Sequence, residues 1–219
     1  MGRFMNHKKW VVVLALIATA LILTHLPVSE ADAAASASDF LIEGSTLTKY
    51  RGTDERVTIP DTVEVVGESA FENNQKVQLV VVPKSVKRMD AYVFWGCDNL
   101  EEVVLGKGLT SVDEYAFSGC TGLKQITIPE NVQSIDAQAF AGCTNLTDIY
   151  IPDTVTSIAD DAFLNCDNVT IHADEGSAAA KFAQKLAEQK GQSPLVTAAP
   201  TATPAADGTS DSQATTEPA

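Results

Sequence analysis

Residues 123–145 read LKQITIPENVQSIDAQAFAGCTN, and the segments on either side repeat them. The phenylalanine recurs at Phe71, Phe94, Phe117, Phe140 and Phe163, each 23 positions after the last. Three residues beyond the ring stand Cys97, Cys120, Cys143 and Cys166, with Asn74 in the first copy. A fixed period of this length is the mark of a solenoid, in which a single coil cannot bury its apolar side chains but a stack can. The repeat therefore specifies a shape and a surface rather than a reaction.

Two apolar columns, Val57/Val80/Val103/Ile126/Ile149 and Ile59/Val82/Leu105/Ile128/Ile151, lie two residues apart. That spacing points both to one face of a short strand. Val77, Leu100, Leu123 and Leu146 precede the strand, and Asp54 is the exception. Proline ends it at Pro60, Pro83, Pro129 and Pro152, because a residue without an N–H cannot continue the ladder; Gly106 replaces it once. The return path carries Val63/Val86/Leu109/Val132/Val155 and Val66/Met89/Val112/Ile135/Ile158. A small residue then precedes the ring at Ala70, Ala116, Ala139 and Ala162, with Val93 the odd one. A stretch such as residues 136–141 fits one short helical turn. Two residues after the ring stand only Gly or Asn (Asn73, Gly96, Gly119, Gly142, Asn165), which predicts a left-handed backbone there.

The predicted fold is a leucine-rich-repeat solenoid of the α/β horseshoe class, rich in β. It has a parallel sheet on one face and short helical turns on the other. The pattern L-x-x-I-x-I-P-x-x-V-x-x-I-x-x-x-A-F-x-G-C resembles the BspA-type leucine-rich repeats over about Val57 to Ile171. That resemblance implies secreted or surface-displayed bacterial proteins, often engaged in adhesion or protein binding, and implies no catalytic residues. Asp54, Asn74 and Gly106 depart from the pattern.

Outside the repeats the chain divides by composition. Residues 1–33 join Arg3, Lys8 and Lys9 to an apolar run from Val11 to Leu26 and small-residue sites such as Ala31-Asp32-Ala33. This is the layout of a secretory signal peptide, and the apolar run is shorter than the ~20 residues of a usual spanning helix. The expectation is a secreted or cell-surface protein, touching membrane only through that segment if it stays uncleaved. Residues 34–53 are assigned to an N-terminal cap, in which Phe40 to Tyr50 reads as a hairpin turning at Gly44-Ser45. The solenoid takes residues 54–172. Residues 173–193 form a C-terminal capping helix that starts at Ser177, with Ala179, Phe182, Ala183 and Leu186 on one stripe and Gly191 and Pro194 beyond. Residues 194–219, rich in Ala, Thr, Pro and Ser, read as a disordered tail.

Chemistry is sparse. The formal net charge is −14, and removal of residues 1–33 takes three basic and two acidic side chains, leaving the remainder more acidic still. Such a chain repels phosphate backbones, so nucleic acid is not an expected partner. His172 is the single histidine after residue 33, which leaves no catalytic triad in view. The cysteines are a whole repeat apart rather than clustered, so no metal is expected, and no cofactor is expected either; they are read as a buried ladder of free thiols, the alternative being a Cys97–Cys120 or Cys143–Cys166 bridge, which the coil spacing permits. The sequons at Asn145 and Asn168 fall in a recurring Gly/Asn turn column and are explained by it. No enzyme activity is expected.

The predicted function is recognition of a protein or glycan; the alternative is a structural or self-associating surface component without a specific ligand. The candidate face is the outward side of the sheet, where Thr58, Val81, Val104, Thr127, Tyr150 and Thr170 are read as one column. Arg56, Leu79, Glu102, Gln125 and Asp148 are read as its neighbour. Within it Arg56, Leu79, Val81, Val104 and Tyr150 are the candidate contacts, because an apolar cluster with Tyr and Arg at its margins is typical of an interface. Trp95, just after a core phenylalanine, is a second candidate on the convex side.

Overall fold

A computed structural model describes residues 35–190 and 196–197. A 3-10 turn, Ala37–Asp39, capped by Ser36, leads into β1 (Phe40–Glu43) and β2 (Thr46–Tyr50), which pair antiparallel as the predicted hairpin. Each of five coils then contributes one three-residue and one two-residue strand, and a sixth three-residue strand ends the stack. The first kind are β3 (Arg56–Thr58), β5 (Leu79–Val81), β7 (Glu102–Val104), β9 (Gln125–Thr127), β11 (Asp148–Tyr150) and β13 (Thr170–His172). The second kind are β4 (Val65–Val66), β6 (Arg88–Met89), β8 (Ser111–Val112), β10 (Ser134–Ile135) and β12 (Ser157–Ile158). Like strands pair in parallel with repeat-equivalent residues opposite each other, for example Val57↔Val80 and Ile135↔Ile158.

The solenoid thus has two parallel sheets. The second, built from residues on the return path, was not evident from sequence. The hairpin docks on this second sheet, with β2 continuing in parallel into β4. In the third corner the expected helical turn does not form. Residues 136–141 run as reverse turns instead, in which local bonds such as Ala141 N–H to Gln138 O (3.1 Å) alternate with bonds to the next coil such as Phe140 N–H to Ala162 O (2.9 Å). Backbone chirality explains the change. The Gly/Asn column is left-handed as expected (φ 56° at Asn73, 68° at Gly96, 76° at Gly119, 73° at Gly142, 61° at Asn165). A second left-handed column, Ser69, Tyr92, Tyr115 and Gln138, lies four residues before it. Two left-handed residues in each of the first four corners cannot belong to a right-handed helix, and the fifth has one, at Asn165.

All eight inward columns are buried, apart from partly covered Leu105 and Ile158 and the departures Asp54 and Asn74. The rings stack through the whole core. Phe71, Phe94, Phe117, Phe140 and Phe163 follow one another at 5.0 to 5.3 Å. Tyr50 and then Phe40 extend the column at one end (5.0 and 5.1 Å), and Phe182 ends it at the other, 5.7 Å from Phe163. The atypical first coil follows from this arrangement. Tyr50 occupies the ring position below Phe71, and its hydroxyl donates to Asp54 (2.8 Å), so Asp54 replaces the usual leucine.

Helix α1 (Ala178–Lys190) covers the last coil. Ser177 caps it by accepting the Ala180 N–H at 3.1 Å. Ala179, Phe182 and Ala183 are buried and Leu186 packs against the core, as the stripe requires. Lys185 reaches back to Asp160 (2.6 Å). Val196–Thr197, assigned to the tail on composition, instead form β14, which pairs in parallel with Ile171–His172 of β13. The edge strand gains backbone bonds that composition does not reveal. The expected signal segment, Gly191, Pro194 and the rest of the tail lie outside the described residues. Among the described residues no helix is long and apolar enough to cross a membrane.

Candidate functional site

In each three-residue strand the central residue points into the core, so its neighbours must point out. Val80 and Val103 are buried between half-buried partners, Leu79 and Val81 on β5 and Glu102 and Val104 on β7. The parallel register sets Arg56, Leu79 and Glu102 side by side, and likewise Thr58, Val81 and Val104. Arg56, Leu79, Val81 and Val104 therefore form one continuous patch on β3, β5 and β7. Glu102 sits against it, its carboxyl raised above the ordinary range by burial and partly drawn back by the Arg56 charge.

Tyr150 is not part of that patch. It lies on β11, separated from Val104 by β9, and belongs to a second cluster that the sequence reading missed. The outward column does not end in Thr170, which pairs with Asp148; His172 is the residue opposite Tyr150. The last coil is one residue short, with Ile171 opposite Ile149 at a spacing of 22, and taking Val169 and Ile171 as the two inward columns makes Thr170 the outward residue between them. The available signal was that Ile171, not Val169, continues the buried column of Ile149. The Tyr150 and His172 rings stack at 4.3 Å, 12° from parallel. His172 Nε2 lies 2.7 Å from Asp148 Oδ1, and Thr147 Oγ1 donates to Asp148 Oδ2 at 2.8 Å. Burial alone would raise the Asp148 carboxyl, but the bonds from His172 and Thr147 hold it below the ordinary carboxylate range. Burial, then the Asp148 charge, pushes the Tyr150 phenol up.

Trp95 lies elsewhere, in the reverse-turn corner. It is 39% exposed, and its N–H donates to Tyr92 O (3.1 Å). Tyr92 stacks on Tyr115 at 4.8 Å, so this corner carries its own aromatic pair.

The cysteine column is buried and its thiols are free. Each Sγ donates to the carbonyl of the phenylalanine one coil earlier: Cys97 to Phe71, Cys120 to Phe94 and Cys143 to Phe117 at 3.1 Å, Cys166 to Phe140 at 2.9 Å. Burial pushes the Cys97 thiol up to about 12 and Cys120 well above the ordinary value. At Cys143 the neighbouring Cys166 thiol, then burial, acts in the same direction. A thiol so far from ionising is a poor nucleophile and a poor metal ligand. Among the described residues no group of three or more His, Cys, Asp or Glu side chains is placed to hold a metal ion.

The coil geometry and its repeated columns agree with comparison to known families. The model of the BspA type leucine rich repeat region matches residues 49–170 in six copies. The chain belongs to this family. No curated protein matches this BspA-type chain. Among solved structures it is similar to a leucine rich cell surface protein of Faecalibacterium prausnitzii, at 34% identity and a TM-score of 0.58, over 60% of this chain and 35% of that one. It is also similar to a leucine rich repeat protein of T. pallidum, at 26% identity and a TM-score of 0.61, over 64% and 71% of the two chains. The pneumococcal vaccine antigen PcpA, at 16% identity and a TM-score of 0.54 over 73% of this chain and 44% of that one, shares the fold. This BspA-type chain spans about a third of the length of the F. prausnitzii protein.

Proposed function

We propose that this repeat module is a non-enzymatic, secreted or surface-displayed binder that takes a protein ligand on the outward face of its three-residue strands. The observation that carries the reading is the Leu79–Val81–Val104 patch. Three apolar side chains lie side by side with Arg56 on the face of a chain whose net charge is −14. An apolar patch with a charged margin on an otherwise acidic surface is where a protein partner gains most from dehydration. The Tyr150–His172–Asp148 cluster supplies a second, polar-aromatic contact on the same side of the coils. Surface display draws support from the family and from similarity to a protein described as a leucine rich cell surface protein.

The test is capture of a ligand from bacterial or host surface extract by the purified chain, repeated with two variants. Combining Val81→Asp with Tyr150→Ala should abolish capture, and Trp95→Ala should leave it intact. Loss only in the Trp95 variant would move the site to the reverse-turn corner. Unchanged capture in both would refute the patch.

A further inference from the structure

With coils counted from the one that carries β3 and β4, both sheets break once, and both breaks border the third coil, which carries β7 and β8. The first sheet divides into β3-β5-β7 and β9-β11-β13-β14, and the second into β1-β2-β4-β6 and β8-β10-β12. On the first sheet the gap falls between coils three and four. Lys124 N–H to Glu101 O measures 3.5 Å, whereas the equivalent bonds in adjoining coils, Glu101 to Gln78 and Thr147 to Lys124, measure 2.8 and 2.9 Å. Val82 N–H reaches Val104 O and Ile128 N–H reaches Tyr150 O, both at 2.9 Å, but Leu105 makes no such bond to Thr127. On the second sheet the gap falls between coils two and three. Lys87 N–H bonds Glu64 O and Gln133 N–H bonds Thr110 O, both at 2.8 Å, while Thr110 makes no such bond to Lys87.

The third corner stays closed on both sides of this coil. Phe94 N–H donates to Ala116 O and Phe117 N–H to Ala139 O, both at 2.8 Å, and the Phe94, Phe117 and Phe140 rings remain stacked. The local cause is in the sequence. Gly106 stands where the other coils have proline, and Gly108 follows two residues later. A Cβ on either would collide with backbone carbonyls of coil two, Pro83 O at Gly106 and Val86 O at Gly108. The turn at residues 106–108 is pressed onto its neighbour more closely than a side chain permits. β8, which leaves this turn, pairs with β10 but not with β6, and β7, which enters it, pairs with β5 but not with β9.

Two adjacent interfaces, each lacking backbone ladder bonds at a different sheet and both held at the same corner, make a pivot; the first-sheet gap is still spanned by side chains, Lys124 Nζ to Glu101 Oε2 and Asn131 Nδ2 to Lys107 O, both at 2.6 Å. We infer that the third coil is a pivot dividing the sheet face into two half-sites that move relative to each other. Arg56, Leu79, Val81 and Val104 lie on one block; Asp148, Tyr150 and His172 lie on the other. Given the binding role proposed above, a partner touching both halves selects their angle, and a contact on one half alters affinity at the other.

Native-state hydrogen exchange on the ligand-free full chain tests the pivot, so its outcome does not depend on whether a partner binds the face. The Lys124 amide is expected to exchange at least about tenfold faster than the equivalent amides of Glu101 and Thr147, while the Phe94 and Phe117 amides at the corner stay protected. Equal protection of Lys124, Glu101 and Thr147 would overturn the inference. So would exchange of Phe94 and Phe117 as fast as Lys124, which would mean a melted coil rather than a pivot. Spin labels supply a second readout, since the native thiols are buried. The distance distribution for Lys76→Cys with Asn168→Cys, across the pivot, should be broader than for Asn145→Cys with Glu188→Cys, within one block. Equal widths would also overturn it.

Discussion

Phe182→Ala removes the ring that closes the aromatic column. The side chain is 8% exposed and its ring tilts 50° onto Phe163 at 5.7 Å. Burying an aromatic ring of this size and then deleting it costs about 3–5 kcal/mol in a closed core. Here the void would open toward solvent between α1 and the last coil, and the nearest helix side chains, Ala179 and Ala183, are too short to fill it. Water can enter, so the lower end, about 3 kcal/mol, is expected. The Lys185–Asp160 bond cannot compensate, since both groups are largely exposed and such pairs contribute well under about 1 kcal/mol. In a nearest-neighbour array, loss of an end cap lowers the stability of the end coil first and frays inward. Urea unfolding followed by circular dichroism should therefore show a lower midpoint and a broadened transition, with the amides of β13 losing protection before those of β5. An unchanged midpoint would show that α1 does not cap the stack.

Three further outcomes follow from the same packing. The four thiols should resist modification in the folded chain, and all four should react once it is unfolded without reductant; fewer than four would mean a disulfide. Gly106→Ala should cost about 1–3 kcal/mol, the usual penalty of overpacking, because the added carbon meets the fixed Pro83 carbonyl; an unchanged melting temperature would refute the close approach. Asp148 has a folded-state carboxyl below its ordinary 3.8. Its contribution is thus present above that value and is lost as pH falls through the lower folded one. Asp148→Asn should flatten the acid limb of the stability curve, and an acid limb identical to wild type would refute the His172 and Thr147 bonds.

The inward half of this fold was legible because each buried column repeats one chemical type. Val57, Val80, Val103, Ile126 and Ile149 declare a strand, and the Gly/Asn column declares a left-handed turn. What stayed hidden lacks such a marker. Ser69, Tyr92, Tyr115 and Gln138 share a left-handed φ without a Gly or Asn among them, so nothing in the sequence contradicts a helical corner. Two-residue strands such as Ser134–Ile135 are too short for an alternation to show, so the second sheet leaves no mark in the sequence. Of the candidate site, Arg56, Leu79, Val81 and Val104 come together as expected, since register follows from period. Tyr150 stands further along the face, as its column requires; Asp148 falls in its expected column, and only His172 escapes the pattern, because the last coil is one residue short and Thr170 takes its place in the count.

The strict register of the stack has a further consequence for how the surface can vary. A displacement of roughly 4.8 Å sets every side chain over its equivalent in the next coil. Apolar groups gain from standing over their own kind, so an inward position, once filled, constrains the same position in every coil. Charges do not gain, because a column of identical carboxylates repels itself. Asp90, Asp113 and Asp136 show the strain: the Asp113 carboxyl is raised by burial and by its two neighbours despite the bond from Ser111, and Asp90 is held by Arg88. The outward strand positions avoid this by changing from coil to coil, through Arg56, Leu79, Glu102, Gln125 and Asp148. The interior behaves as a fixed ruling and the face as text written along it, so that a new ligand needs new letters but no new fold.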